Sequence, residues 1–441
     1  MSNAHAEEPP AKVAATLASP VKSHPAFRLL IGCYVVISIA FGGIAIANSI
    51  LPGKSMKDYW VWLETGQRMF HGQPIYPASG EKFDFMYPPT AAALLAPVSA
   101  LGRVGIVIVL ATITALAWLA SVRLAVRLAA PHERSRNLLL YALPSLIVIV
   151  FVWSNFHIGQ PSLVILALLL GAFAALQVKR ETLAGALVAI AAGIKAFPFI
   201  AILYLLYRRY WIAAASMIVS LALLVLVLPA VFRGFGNATA DLQTWASGML
   251  FKYDESGVAQ RPGRSNSWKN QSIFGLANRT LRRVDADAQF KAHTPVYVNV
   301  ADLGFKTVNR IIIAIGLLLG LVYLAVMPRH GARTGESDGI EFALFILLML
   351  MFTPLSFGYL FVSLLYPFTV LIARLLVRPE WRLLISGGVA VLFLLTSIPM
   401  QIRAQMYGNY FFASLSLFIG LATELWMLKR RAAPALPPTA R

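Results

Sequence analysis

Apolar residues recur along this chain in long unbroken blocks, not at the alternating or three-to-four spacing of half-buried elements. The blocks lie at roughly 29–50, 103–128, 138–153, 161–178, 183–207, 211–232, 307–327, 340–360, 360–377, 383–399 and 410–428. About 20 consecutive apolar residues cross a hydrocarbon layer as a helix, and a helix satisfies its own backbone hydrogen bonds there. The pattern predicts an all-α polytopic integral membrane protein with about 11 to 13 transmembrane helices. The stretch 88–101 is short and Pro-rich and is expected to be a half-span. Block 183–207 has Pro198 in its middle, which cannot continue helix hydrogen bonding, so the block is expected to enter and return as two half-helices.

Composition agrees with that reading. The 441 residues are 58% hydrophobic and 13% charged, with mean hydropathy +0.70, whereas a soluble domain carries about 25% charged residues. A net charge of +19 in a soluble chain would suggest nucleic acid. Here Arg123, Arg127, Lys179, Arg180, Arg208, Arg209, Arg329, Arg333, Arg374, Arg378 and the run Lys429 to Arg431 all flank apolar blocks. That is the positive-inside bias of cytoplasmic loops, and no nucleic-acid partner is expected. It divides the chain into a disordered cytoplasmic N-terminus at 1–27, a membrane domain at 28–428 and a basic, Pro-containing cytoplasmic tail at 429–441. The connections 51–88 and 233–305, and the turn 154–160, fall outside. Ala45-Ile46-Ala47 resembles a signal-peptidase site, but the apolar run before it exceeds a signal h-region and a retained helix is expected. The single Cys33 forms no intramolecular disulfide, and no Cys/His spacing suggests zinc.

Chemistry has to sit in what remains. Residues 56–70 mix Tyr59, Trp62, Leu63, Met69 and Phe70 with charges, which suits an amphipathic helix at headgroup depth. Asp58 stands at its start and has two readings, a helix N-cap or a reactive carboxylate. Lys195 lies mid-block in GIKAFPF. A Lys at bilayer centre costs roughly 2.5–3.5 kcal/mol, so it either faces a polar cavity or snorkels to a surface. The turn SNFHIGQPS presents His157 and Gln160, with a plain loop as the alternative. The 233–305 segment is net basic, through Lys252, Arg264, Lys269, Arg279, Arg282 and Arg283 among others, which suits either an anionic ligand or solvation. Within it Trp268-Lys269-Asn270-Gln271-Ser272, followed by Arg279, is a candidate sugar or phosphate site. Asp285-Ala286-Asp287 is a weak metal motif, and no metal role is assigned to it.

Taken in order, these pieces resemble a family. Asp58-Tyr59, Gly72-Gln73-Pro74-Ile75-Tyr76, Phe85-Met86-Tyr87-Pro88-Pro89, Gly159-Gln160, Gly193-Ile194-Lys195-Ala196-Phe197-Pro198, Tyr207-Arg208-Arg209-Tyr210-Trp211 and Asn270-Gln271-Ser272 with Arg279 are similar to glycosyltransferase family 87 over roughly residues 28 to 428. The resemblance implies a GT-C-type bundle with outer loops and an interfacial helix. It also implies a cell-membrane (inner or plasma) enzyme whose active site faces out. The donor would be a polyprenyl-phosphate sugar, typically mannose, and the acceptor a glycolipid or glycan, with no cofactor. Asp58 would be the general base of an inverting single displacement. Lys195 and Arg279 would hold the donor phosphate, with Asn270, Gln271, His157, Gln160 and Tyr87 as further sugar or phosphate contacts. Family members often carry a His after a Ser-aromatic pair in a late span. Here Ser356-Phe357 runs into Gly358-Tyr359. A transporter or flippase of lipid-linked sugars, or a transferase for arabinofuranose or glucose, is the competing reading.

Overall fold

The computed structural model describes residues 25–51, 53–77, 83–130, 137–255, 257–258, 262–287 and 294–431. The terminal stretches 1–24 and 432–441, which belong to the segments expected to be cytoplasmic, lie outside the described residues. The chain adopts the all-α polytopic architecture. Among the described residues, six helices are long and apolar enough to cross a membrane: Pro25–Ile50, Gly102–Ala129, Trp211–Leu250, Phe305–Val326, Gly358–Val377 and Asn409–Arg431. Two bent pairs raise this to eight: Leu139–Ile147 with Ile149–Ile158 at 61°, and Trp381–Leu395 with Ser397–Met406 at 92°. The other apolar blocks include the shorter helices Pro89–Ser99, Ser162–Gln177, Glu181–Ile194 and Phe197–Tyr207. Pro89–Ser99 rises only about 16 Å at 1.5 Å per residue, which is a half-span.

Block 183–207 does enter and return. Near its start, Ser216 donates to the Thr182 carbonyl at 2.8 Å and the Ala213 amide to Glu181 at 3.3 Å. At the far end, Gly193 packs on Thr90, whose hydroxyl donates to the Leu224 carbonyl at 2.8 Å. Glu181–Ile194 and Trp211–Ala222 are therefore parallel, and the chain between them must turn back. It turns at Lys195, which is extended (φ −150°, ψ 127°), followed by a 3-10 turn at Phe197–Ile200 and a helix at Ala201–Tyr207. Lys195 sits at the tip of this hairpin.

The base of the hairpin lies at an end of the bundle rich in ion pairs. Arg208 binds both carboxylate oxygens of Glu341 through the Nε–Nη2 edge of its guanidinium and donates from Nη1 to the Pro328 carbonyl, and Tyr204 donates to the same Glu341 at 2.8 Å. Arg374 pairs with Glu336 at 2.8 Å and with Glu424 at 2.7 Å. Removing one partner of such a buried pair costs about 3–5 kcal/mol, so these contacts hold the helices in register at this end.

The opposite end carries the polar segments. Helix Asp58–Phe70 buries Tyr59, Trp62, Leu63 and Met69 and leaves Trp60 and Phe70 about half exposed. This is the amphipathic division its sequence suggested. The span starting at Trp211 continues well beyond residue 232. It hinges at Gly234 (φ 73°), and its second limb lies over the loop before Pro89, with the Trp245 indole donating to the Met86 carbonyl at 3.1 Å. A two-residue β-ribbon pairs Tyr253 with Val258, and short helices at Pro262–Asn266 and Ile273–Leu281 complete the cap.

Candidate functional site

Asp58 is the first helical residue of its element, and the cap position before it is Lys57, in the left-handed region at φ 53°. The Asp58 carboxylate accepts a short hydrogen bond from Gln160 Nε2. Two neighbours fix this meeting. Tyr59 donates to the Phe156 carbonyl at 2.7 Å, and the Trp62 indole donates to the Gly159 carbonyl, also at 2.7 Å. Both acceptors terminate helix Ile149–Ile158, so the interfacial helix docks on the SNFHIGQPS turn. Gly159 is required there twice over. Its φ is +85°, and a Cβ would lie 2.9 Å from the Tyr59 ring.

Gln160 is itself held from the other side. Its side chain is buried, and Oε1 accepts from the Tyr87 hydroxyl at 3.0 Å. Burial first, and then the neighbouring Tyr359 and Asp58, hold the Tyr87 phenol well above its usual range, so it remains a hydrogen-bond donor. The relay Tyr87–Gln160–Asp58 sets the direction of the amide: its NH2 must face the carboxylate.

The hairpin tip completes the cluster. Lys195 Nζ lies 4.8 Å from the Tyr359 ring centroid and 5.6 Å from that of Tyr87, within the range of cation–π attraction. Asp58 is close enough for its charge to act on Lys195. Asn155 fixes Tyr359 by donating to its carbonyl at 2.9 Å, while Asn155 Oδ1 accepts from the Ser162 amide. One carboxylate and one ammonium thus belong to one cluster, the polar chamber, with Tyr87, Gln160 and Tyr359.

Other candidates lie differently. Arg279 is fully buried and donates to four carbonyls: Met406 at 3.2 Å, Ser267 and Asn270 at 2.7 Å, and Gln405 at 3.3 Å. Asn270 donates to Ser265 and Pro354 and accepts from the Ser272 and Ser356 amides. Gln271 donates to the Trp268 and Gln405 carbonyls and accepts from the Tyr410 amide. These three side chains tie the 262–287 segment to residues 354–356 and 405–410. As placed, they stitch the cap together through bonds to its backbone. Asp285 and Asp287 likewise bind the Val296 amide and the Trp268 indole. His157 stacks on Trp153 at 5.0 Å, with its buried Nδ1 lacking a hydrogen-bond partner.

Two residues join the chamber that motif reading did not assign to it. Tyr359 follows Gly358, the residue that stands directly after the Ser356-Phe357 pair where the resemblance led to a histidine. Arg264 is exposed and near enough for its charge to act on Tyr87 and Lys269. Burial pushes the Lys269 ammonium down, Asp287 opposes this, and Arg264 and Lys57 push it down further. Arg264 and Lys57 are therefore close enough to Lys269 for their charges to interact. No local pattern distinguishes Arg264 from the other loop arginines.

Immediately beyond Lys195 an apolar groove of about 570 Å³ opens at Ala196, beside Thr353 and Pro354, and runs down between the hairpin's return arm and helix Phe305–Val326 to Tyr207 and Met327. It leads from the polar chamber toward the ion-paired end.

The profile of glycosyltransferase family 87 matches residues 85–354, more than half of the chain, including Tyr87, Gln160 and Lys195. Asp58 and Tyr359 lie outside the matched stretch and join the site through the fold. No curated protein matches the chain. With a multi-pass helical bundle and a family match across its core, this chain belongs to glycosyltransferase family 87 and is a membrane glycosyltransferase.

Proposed function

We propose that the enzyme transfers a sugar, mannose by family resemblance, from a polyprenyl-phosphate donor to a glycolipid or glycan acceptor on the outer face of the cell membrane. The supporting observations are that Asp58 is close enough for its charge to act on Lys195 and that an apolar groove opens at Ala196, the next residue. A carboxylate, an ammonium and a hydrocarbon-lined channel match an acceptor hydroxyl, a donor phosphate and a lipid chain.

The reaction is an inverting single displacement. Asp58 takes the proton from the acceptor hydroxyl as that oxygen attacks the anomeric carbon. The bond from that carbon to the phosphate oxygen breaks, and lipid phosphate leaves as a stable anion. A leaving group of that kind needs no protonation, unlike the alkoxide that a glycosidase must protonate with a second carboxyl. One base is sufficient. Lys195 stabilises the charge growing on the phosphate, with the Tyr87 and Tyr359 rings fixing its position. Arg264 takes the supporting role that motif order had suggested for Arg279. Gln160 aims the base, and His157 contacts a sugar hydroxyl. A carrier without chemistry would have no use for a carboxylate so oriented.

The test is transfer from labelled polyprenyl-phosphate mannose by membranes containing the protein, with arabinofuranosyl and glucosyl donors as competitors. Asp58→Asn keeps size and hydrogen bonding but removes the proton acceptor, and should lower kcat about 10²–10⁴-fold at unchanged donor binding. Amide variants of Glu64 and Asp84 should retain most activity. Near-normal turnover of Asp58→Asn at matched protein level would overturn the mechanism.

A further inference from the structure

The groove below Lys195 has one wall made of missing side chains. Gly316 and Gly320 stand one helical turn apart on Phe305–Val326 and both face the groove. Glycines at this spacing in membrane helices ordinarily let two backbones touch. That does not occur at Gly320, where a Cβ would meet nothing within 4 Å. At Gly316 the atoms nearest to a Cβ would be those of the Phe352 ring, from 3.2 Å. Glycine inside a helix costs about 1 kcal/mol relative to alanine, and at Gly320 no packing against the protein offsets it. An occupant of the groove would.

The surroundings identify that occupant. Phe199, Leu203 and Tyr207 line the groove and are each about half exposed, so it opens sideways onto the bilayer. Tyr204 and Tyr323 also line it, and their hydroxyls donate to Glu341 Oε1 and the Glu341 carbonyl. From Gly316 to Met327 the groove descends about 16 Å at 1.5 Å per residue. A cation heads it, the walls are hydrocarbon, and entry is lateral.

We propose that Gly316 and Gly320 are specificity determinants that widen this groove for the methyl-branched, phosphate-proximal part of an isoprenoid chain. The inference rests on the polyprenyl-phosphate reading above and deepens it. Gly316 lies at the level of the Lys195 end and Gly320 one turn deeper, so a long chain passes Gly320 whereas a donor with one isoprene unit does not.

The experiment compares purified wild type, Gly320→Ala and Gly320→Leu with two mannosyl phosphates, one carrying a long polyprenyl chain and one a single isoprene unit. In Gly320→Leu the KM for the long donor should rise roughly 10- to 200-fold, the range by which an apolar pocket discriminates size. The kcat, and the KM for the short donor, should stay at wild-type values. Gly320→Ala should move the long-donor KM in the same direction by less. Equal losses with both donors, or no change with either, would overturn the gauge while leaving the donor reading intact. A wild type that uses neither donor would sink the donor reading, and this inference with it.

Discussion

Gln160 Nε2 donates to the carboxylate of Asp58 across 102 positions of sequence, and the Tyr87 hydroxyl fixes which way that amide points. The family profile begins at residue 85, so this contact ties the proposed base to the family core.

The contact predicts the behaviour of Gln160→Leu. Loss of a hydrogen bond to a charged group removes about 1.5–3 kcal/mol, roughly 10- to 150-fold in rate when the loss falls on the transition state. We expect kcat to fall by that much, with donor KM little changed. Gln160→Glu sets a second carboxylate beside Asp58 and raises the proton affinity of the pair. The acid limb of its kcat–pH profile should therefore move to higher pH. A Gln160→Leu enzyme with unaltered kcat would show that Asp58 needs no such orientation.

Lys195→Met should insert and fold, since the change removes a costly charge from the hairpin tip. Its donor KM should rise strongly, because phosphate then enters a chamber with its nearest cation gone, at a cost of several kcal/mol on the order seen for broken buried pairs. Lys195→Arg should rescue only in part, as a planar fork does not replace a compact ammonium between two rings. A normal donor KM in the Met variant would return Lys195 to snorkelling.

Arg279 and Arg264 should separate cleanly. Arg279→Leu strips the partner from four buried carbonyls, each costing about 1–3 kcal/mol if left unsatisfied. We expect a large drop in Tm and in membrane protein level. Arg264→Gln, at an exposed position, should leave Tm unchanged and raise donor KM. The opposite pattern would restore Arg279 to the phosphate.

The outer-face assignment predicts a labelling pattern. In a Cys33→Ser background, Lys54→Cys at the site end and Arg378→Cys at the ion-paired end are both exposed. An impermeant thiol reagent applied to intact cells should modify the first and spare the second. Labelling of Arg378→Cys alone would turn the protein over and place Asp58 inside.

Local physics made much of this protein readable from its residues. Block length against bilayer thickness gave the helical membrane class, and Pro198 beside a mid-block Lys gave the broken hairpin with its charge at the tip. Both follow from the backbone's need for internal hydrogen bonds in hydrocarbon, a constraint each segment meets alone. The amphipathic helix after Asp58 was legible for the same reason. What packing decided were the partnerships. Nothing local tells Arg279 from Arg264; one is drawn inward because four carbonyls of the cap converge on it, while the other stays at the surface. Asn270 and Gln271 look like sugar ligands until the folded cap supplies them with partners from residues 354–356 and 405–410. Tyr359 reaches Lys195 across 164 positions only because Asn155 holds its backbone in place. The empty face of Gly320 exists only between helices that the chain brings together late. Propensity and hydropathy act over one turn or one span, whereas a hydrogen-bond partner is settled by which distant surface arrives.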